Sequence, residues 1–331
     1  MDHHGLNKRA ILDRLLICPA CRGELKGESE RYTCMGCQRI FPVVSGIPRF
    51  LPGLSSEEQQ VGRSFNFEHT RYEDAHFLRF TPRLVQQWLD DIKLPADYFK
   101  GKLVLDAGCG SGRWTYAMAS LGATVVAVDL TDAGVEITHQ ATAQLDNAVV
   151  LQASVFGLPF RPESFDLVVS WGVLHHTPDT RVAFERITPL VKKGGQLYVM
   201  IYEKHNPLKF FLTDLLRGVL RTLPEERRHR ACRRLIIRNP WLYSRLARLI
   251  ICAPYPQSGD SLEVSTLQLG LYDAYAPVFN HLHRREEIEG WFRDGGFSQL
   301  TLTGPVRFTA WRDVLRSGEC GGSIKMRGVR T

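Results

Sequence analysis

No run of about 18 apolar residues occurs in the 331-residue sequence, so no membrane-spanning helix is expected. There is no internal repeat and no low-complexity tract. Apolar residues make up 44% and charged residues 23%, as in an ordinary globular protein, which excludes a disordered tail, a collagen-like fibre and a disulfide-dense secreted module. The stretch Met1–Lys8 lacks both the basic start and the apolar core of a secretory signal, so the chain is expected to be cytoplasmic. In that compartment the eight cysteines are expected as thiols or metal ligands rather than disulfides.

Basic charge is concentrated in one place. Residues 202–251 hold twelve Lys/Arg against four Asp/Glu, while the whole chain is only +7, so the remainder is close to neutral and any acidic partner should meet this segment.

Cys18-Pro-Ala-Cys21 and Cys34-Met-Gly-Cys37 are two C-x-x-C pairs twelve residues apart. Each pair aims two thiolates at one ion from a tight turn, and four sulfurs suit a tetrahedral Zn²⁺. No His or carboxylate occupies one of the four positions, so a closed structural site is expected, held by Cys18, Cys21, Cys34 and Cys37. With its flanks, Cys18-Pro-x-Cys21-x-Gly-x-Leu25 and Phe41-Pro-Val-Val-Ser-Gly-Ile-Pro48, this stretch resembles the zinc-ribbon family of small activator proteins that bind and stabilise methyltransferases of transfer RNA and proteins. The resemblance covers residues 12–52 and implies a helper module fused in cis.

Residues 53–64 are polar and read as a linker; an aromatic, helical lead-in follows from Phe65 to about Lys100. Strand and helix signals then alternate, which implies a parallel sheet covered by helices. Strands are expected at 103–106, 124–129, 148–152, 165–170 and 196–201. A basic helical insertion is expected over 204–252, a helix over 285–292, and late strands at 297–303 and 323–329. The domains expected are therefore a zinc ribbon (12–52), the linker and lead-in (53–100), and an α/β domain (101–331).

Val104-Leu-Asp-Ala-Gly-Cys-Gly-Ser-Gly-Arg113 follows a strand and opens a helix. Gly108, Gly110 and Gly112 permit the tight turn and close approach of a ligand. Asp129 ends the next strand and can accept hydrogen bonds from both hydroxyls of a ribose. Such a loop can serve NAD, a phosphate or S-adenosylmethionine. Arg113 stands where a dinucleotide fingerprint needs Gly, no Walker Lys-Ser/Thr is present, and Asp106 would repel a pyrophosphate but attract the cationic amino end of a methionine.

This stretch resembles motif I of class I S-adenosylmethionine-dependent methyltransferases. Leu158-Pro-Phe160, Phe165-Asp-Leu-Val-Val-Ser-Trp-Gly-Val-Leu-His-His176 and Lys193-Gly-Gly-Gln-Leu-Tyr198 follow in that family's order. The resemblance covers about 65–202 and looks closest to the group that includes quinone-biosynthesis and natural-product methyltransferases. It implies a Rossmann-like, doubly wound, seven-stranded sheet, with Asp106, Gly108, Gly110 and Gly112 on the methionine moiety. It further implies Asp129 and Leu130 on ribose and adenine and Ser154 and Val155 beside the adenine; Trp171 is also expected among the cofactor-binding residues. The family usually has Asp where Ser154 stands.

Trp171, Gly172 and His175 fall just past the fourth strand, where an acceptor must lie; His175 or His176 is the candidate base if the acceptor has to lose a proton. Phe65, Phe67, His69 and Tyr72 are candidates for a lid. Tyr272, Asp273, Tyr275, Asn280, His281 and His283 form a polar-aromatic patch suited to acceptor binding. The Asn/Asp-Pro-Pro-Tyr motif for exocyclic amines and the Pro-Cys pair used on cytosine are absent. The expected acceptor is a small, hydrophobic or aromatic metabolite, with no obligate protein partner. RNA, contact of the basic insertion with a membrane surface, and a non-catalytic binding module on the same fold stay open as alternatives.

Overall fold

The computed structural model describes residues 8–72, 80, 82–204, 214–215, 217–220, 222–238, 269, 272, 277–304 and 322–331. Most of the basic insertion, with Phe210, Phe211 and Trp241, lies outside the described residues, as do Asp273 and Tyr275.

Helix α1 (Lys8–Leu15) buries Ile11, Leu12 and Leu15 along one face. It leads into an antiparallel meander of β1 (Leu25–Gly27), β2 (Arg31–Cys34), β3 (Ile40–Val44) and β4 (Ile47–Phe50). Tyr32, Phe41 and Phe50 close its core, with Phe50 5.4 Å from Tyr32 and 5.1 Å from Phe41 between ring centroids.

Helix α2 (Ser56–Arg71) occupies most of the stretch expected to be a linker. Its start is set by a capping box: Ser55 Oγ accepts from Glu58 N at 3.1 Å, and Ser55 N donates to Glu58 Oε2 at 2.9 Å. The polar residues before Phe65 are the first turns of a helix rather than a tether.

The α/β body follows: α3 (Leu84–Ile92), β5 (Leu103–Ala107), α4 (Arg113–Ser120), β6 (Thr124–Asp129), α5 (Asp132–Ala141), β7 (Ala148–Ala153), β8 (Phe165–Trp171), α6 (Thr180–Ile187) and β9 (Val191–Tyr202). Strand β9 begins five residues before the expected Gln196, through Lys193-Gly-Gly, because Val191 pairs with Phe165 ahead of a register shift. Beyond it come α7 (Glu225–Arg238), α8 (Arg285–Asp294), β10 (Phe297–Leu302) and β11 (Ser323–Arg330).

The seven strands of the body run in the order β7-β6-β5-β8-β9-β11-β10. The first five are mutually parallel and β11 is antiparallel to both its neighbours. This is the expected doubly wound Rossmann-like sheet. Alternation along the strands feeds two cores. Val104, Leu167 and Tyr198 meet Trp88 of α3 and Met118 of α4 on one face. Leu105, Val168 and Leu197 meet Phe184 of α6 and Phe292 of α8 on the other.

The ribbon is continuous with this body. β4 pairs in parallel with β7, Arg49 opposite Gln152 and Phe50 opposite Ala153. Tyr32, Phe41 and Phe50 belong to the same apolar cluster as Leu105 and Leu151. Arg22 donates to the carbonyls of Leu158 (3.1 Å) and Phe160 (2.7 Å). Among the described residues no helix is long and apolar enough to cross a membrane.

Candidate functional site

After β5 the chain winds to β6 and β7 on one side, then crosses back to β8 on the other. The crevice at the carboxyl ends of β5 and β8 is the topological switch point where such sheets bind ligands. A pocket opens there. Its wall includes Asp106, Gly108, Gly110, Asp129, Leu130, Ser154, Val155 and Trp171, and α2 closes over it with Glu58, Val61, Phe65, Glu68 and His69.

The loop after β5 is shaped by its glycines. Gly108 has φ +88°, and a Cβ there would stand 2.3 Å from Val173. Gly112 differs from the other two: it does not line the pocket, and its Cβ would strike Thr138 of α5 at 2.8 Å. Gly112 thus lets the loop sit against α5, with a left-handed residue at the N-cap of α4. A Cβ at Gly110 would meet only His69 of α2, at 3.4 Å, so this glycine faces the space under the helix.

Asp106 is fully buried and accepts from Thr115 Oγ1 at 2.6 Å. Burial raises its pKa to about 6, with the Asp129 charge adding and the Thr115 hydrogen bond and Arg113 opposing. A buried carboxylate in that position is set to receive a cation. Asp129 is already engaged: Oδ2 accepts from Gly110 N (2.9 Å), and Oδ1 accepts from Thr131 N (2.9 Å) and Thr131 Oγ1 (2.7 Å). Since the Thr131 proton goes to Asp129, His69 Nδ1 must be the donor in its 3.2 Å contact with Thr131 Oγ1. The lid helix is thereby tied to the loop. Cys109 lines the same wall; burial first, and then the charges of Asp129 and Asp106, push its thiol well above the ordinary range.

The two candidate bases part company. His176 lines the pocket; its Nδ1 donates to the Phe279 carbonyl at 3.0 Å, which puts the ring's lone pair on Nε2. His175 is fully buried behind it, outside the pocket wall, with its ring stacked on Tyr202 at 3.8 Å. Burial, then the neighbouring His176, His283 and His281, hold its pKa well below the ordinary value, so it stays neutral.

The lid candidates divide likewise. Phe65 and His69 face the pocket, whereas Phe67 lies 5.8 Å from the Tyr272 ring and Tyr72 Oη is 2.7 Å from His229 Nδ1 of α7. His281 and His283 join the cluster behind the pocket rather than its wall. On the open side, the Arg113 guanidinium lies 4.4 Å from the Trp114 ring and 4.5 Å from the Trp171 ring, and Trp171 Nε1 is anchored on Asp91 Oδ2 at 2.7 Å. Met200 and Tyr202 complete that wall. Glu58, Val61, Glu68, Met200 and Tyr202 were not singled out by sequence; the one available signal was the Ser55-x-x-Glu58 capping pattern.

In the ribbon, the Sγ atoms of Cys18, Cys21, Cys34 and Cys37 all lie within 4.8 Å of one another, a group that could hold a metal ion. Cys18 and Cys37 are 3.7 Å apart, Cys21 and Cys34 3.4 Å.

Residues 105–199, which span the glycine loop and most of strands β5 to β9, match the methyltransferase-domain family. A demethylmenaquinone methyltransferase of Staphylococcus aureus (strain MRSA252) is 28% identical over 146 residues, an alignment that spans 43% of this chain and 60% of that protein. Two solved structures are similar to this chain at low identity. Magnesium protoporphyrin IX methyltransferase from Synechocystis with bound S-adenosylhomocysteine is 16% identical at a TM-score of 0.42, over 84% of this chain and 90% of its own. The YcgJ protein of Bacillus subtilis is 15% identical at a TM-score of 0.45, over 76% and 99%.

Proposed function

We propose that the protein is an S-adenosylmethionine-dependent methyltransferase acting on a small, hydrophobic or aromatic acceptor. One observation carries this reading: a single pocket at the switch point joins a buried, cation-seeking Asp106 and an open cradle at Gly110 to a wall of aromatic and apolar side chains. The residues fit the cofactor. Asp106 would receive its ammonium group, the Gly108–Gly110 backbone its methionine moiety, and Asp129 with Leu130 its ribose. Val155 would pack on the adenine, and Trp171 would border the sulfonium end. Gly112 supports the loop from behind.

When bound, the cofactor supplies an electrophilic methyl group on a cationic sulfur, and the acceptor takes that methyl as the sulfur leaves neutral. This chain's own residues supply position and dryness, which carry most of the rate in such a displacement. Phe65, Trp171, Met200 and Tyr202 hold an apolar acceptor and exclude water. His176 Nε2 takes the proton if the attacking atom carries one; His175 holds the ring of His176 in place from behind.

The ribbon cysteines fit Zn²⁺: tetrahedral zinc with bonds of about 2.3 Å sets its sulfurs about 3.8 Å apart, close to the spacings present. The ribbon serves the domain as a built-in brace, since it adds a strand to β7 beside the pocket.

Two arginines of the basic insertion support the small-molecule reading over RNA. Arg217 donates to the Pro277 carbonyl at 2.8 Å, and Arg228 donates to the carbonyls of Leu220 and Leu223 at 3.2 Å each. Both are buried and bind this chain's own backbone rather than offering charge to phosphate.

Calorimetry with S-adenosylmethionine and NAD tests the cofactor, and labelled cofactor with a fractionated metabolite and RNA extract tests the acceptor. S-adenosylmethionine should bind and NAD should not. Asp129→Ala should cost about 1.5–3 kcal/mol of binding, and Gly110→Val should abolish it. Equal affinity for NAD, or label recovered only in RNA, would defeat the respective half of the proposal.

A further inference from the structure

Leu130, Val155, Phe156 and Leu158, from the ends of β6 and β7 and the turn that follows, line the pocket together with two polar side chains that bond to each other, Ser154 and Glu58. Ser154 belongs to the α/β body; Glu58 comes from α2, outside it. The Ser154 hydroxyl accepts from Phe156 N at 3.2 Å and donates to Glu58 Oε1. Glu58 Oε2 in turn accepts from Ser55 N at 2.9 Å in the capping box.

The direction of these bonds decides what this edge can recognise. The one hydroxyl proton is committed to the carboxylate, so Ser154 and Glu58 together offer acceptors and no donor. An edge of acceptors suits a base that donates, such as the exocyclic amine of adenine, and leaves a carbonyl at that position facing lone pairs.

We propose that Glu58, acting with Ser154, is the residue that selects the adenine base. It is a specificity-determining carboxylate borne by the lid helix rather than by the sheet. This rests on the reading that S-adenosylmethionine occupies the pocket. Because the same helix carries Phe65 and His69 over the pocket, recognition of the base and placement of the lid are one event.

The test compares S-adenosylhomocysteine with S-inosylhomocysteine, which replaces the amine by a carbonyl, using calorimetry on the full chain. Wild type should prefer the adenine ligand by roughly tenfold or more. Glu58→Gln, whose amide can turn a donor toward the base, should bring that ratio close to one. Ser154→Asp in the Glu58→Gln background should restore it. Ser55→Ala breaks the capping box and leaves the acceptors in place, so it should weaken both ligands alike and keep the ratio. An unchanged ratio in Glu58→Gln, or an equal change in Ser55→Ala, overturns the assignment. Wild-type protein that binds neither ligand overturns the reading of the pocket, and this inference with it.

Discussion

Arg49, on the last strand of the ribbon, donates from Nη1 to Gln152 Oε1 at 3.2 Å, across the parallel pair that joins the two modules. Gln152 passes the contact on, donating to the Leu130 carbonyl at 2.9 Å on the pocket wall. Arg49 also meets Asp132 and Glu136, but their side chains are 71% and 55% exposed, so those ion pairs contribute little. Arg49→Ala should cost about 2 kcal/mol in denaturant unfolding, from the orphaned Gln152 and lost packing. Arg49→Lys should not recover it, because one ammonium cannot replace the fork.

Elemental analysis of protein prepared without chelator should find one zinc per chain. Cys34→Ser should unfold the ribbon, since zinc held by the four thiolates would supply its folding energy. The α/β body should remain folded but melt at a lower temperature, because Phe41 and Phe50 share its core. A melting curve unchanged by the substitution would contradict this.

Asp106 links stability and binding to pH with opposite signs. Its folded pKa of about 6 stands above the ordinary 3.8, so the folded state favours the protonated form. That contribution is full below about pH 4 and is lost as pH rises through about 6. At neutral pH the buried charge therefore costs the ligand-free protein up to about 3 kcal/mol. Cofactor affinity should rise across the same window as the carboxylate forms. Asp106→Asn should raise the melting temperature of the free protein at pH 7.5, weaken S-adenosylmethionine binding and flatten its pH dependence.

With an acceptor that must lose a proton, His176→Ala should lower kcat by about 10²–10⁴-fold and remove the acidic limb of its pH profile. His175→Phe should spare that limb, because His175 does not reach the pocket and stays neutral. Loss of the limb in His175→Phe, but not in His176→Ala, would reverse the assignment.

Charge reversal at the exposed Arg227 and Arg230 should leave turnover of a small acceptor nearly unchanged. Reversal at Arg228 should instead destabilise the fold, because its guanidinium is buried against the Leu220 and Leu223 carbonyls. Tight, salt-sensitive RNA binding lost in Arg227→Glu/Arg230→Glu would promote the RNA reading.

Much of the α/β body was legible because local pattern and tertiary role agree. Leu103-Val-Leu-Asp and Thr124-Val-Val-Ala-Val-Asp are apolar runs ending in an acid, and the strands lie within a residue of where those runs end. Polar residues that do structural work in company were harder to read. The start of α2 looks like a tether until Ser55 and Glu58 are seen to cap each other. Glu58 cannot be tied to the pocket by spacing, since Ser154 lies 96 residues away. The junction of Arg49 with Gln152 is equally non-local. His175 and His176 are neighbours in sequence, and only the turn at Leu174–His176 separates one into the wall and the other behind it.

A parallel sheet that stopped at β7 would present a row of unsatisfied N–H and C=O groups, a template on which a strand of another molecule could grow. In this chain β4 pairs with the last two residues of β7, Gln152 and Ala153, and turns back into β3, so the end of that border beside the pocket is taken by the chain itself. Stripping the ribbon of its metal would bare the border while the rest of the sheet still stood. If zinc holds the ribbon as proposed, its removal should shorten colloidal lifetime as well as weaken the fold: a chelator-treated sample should cloud before it loses its helices.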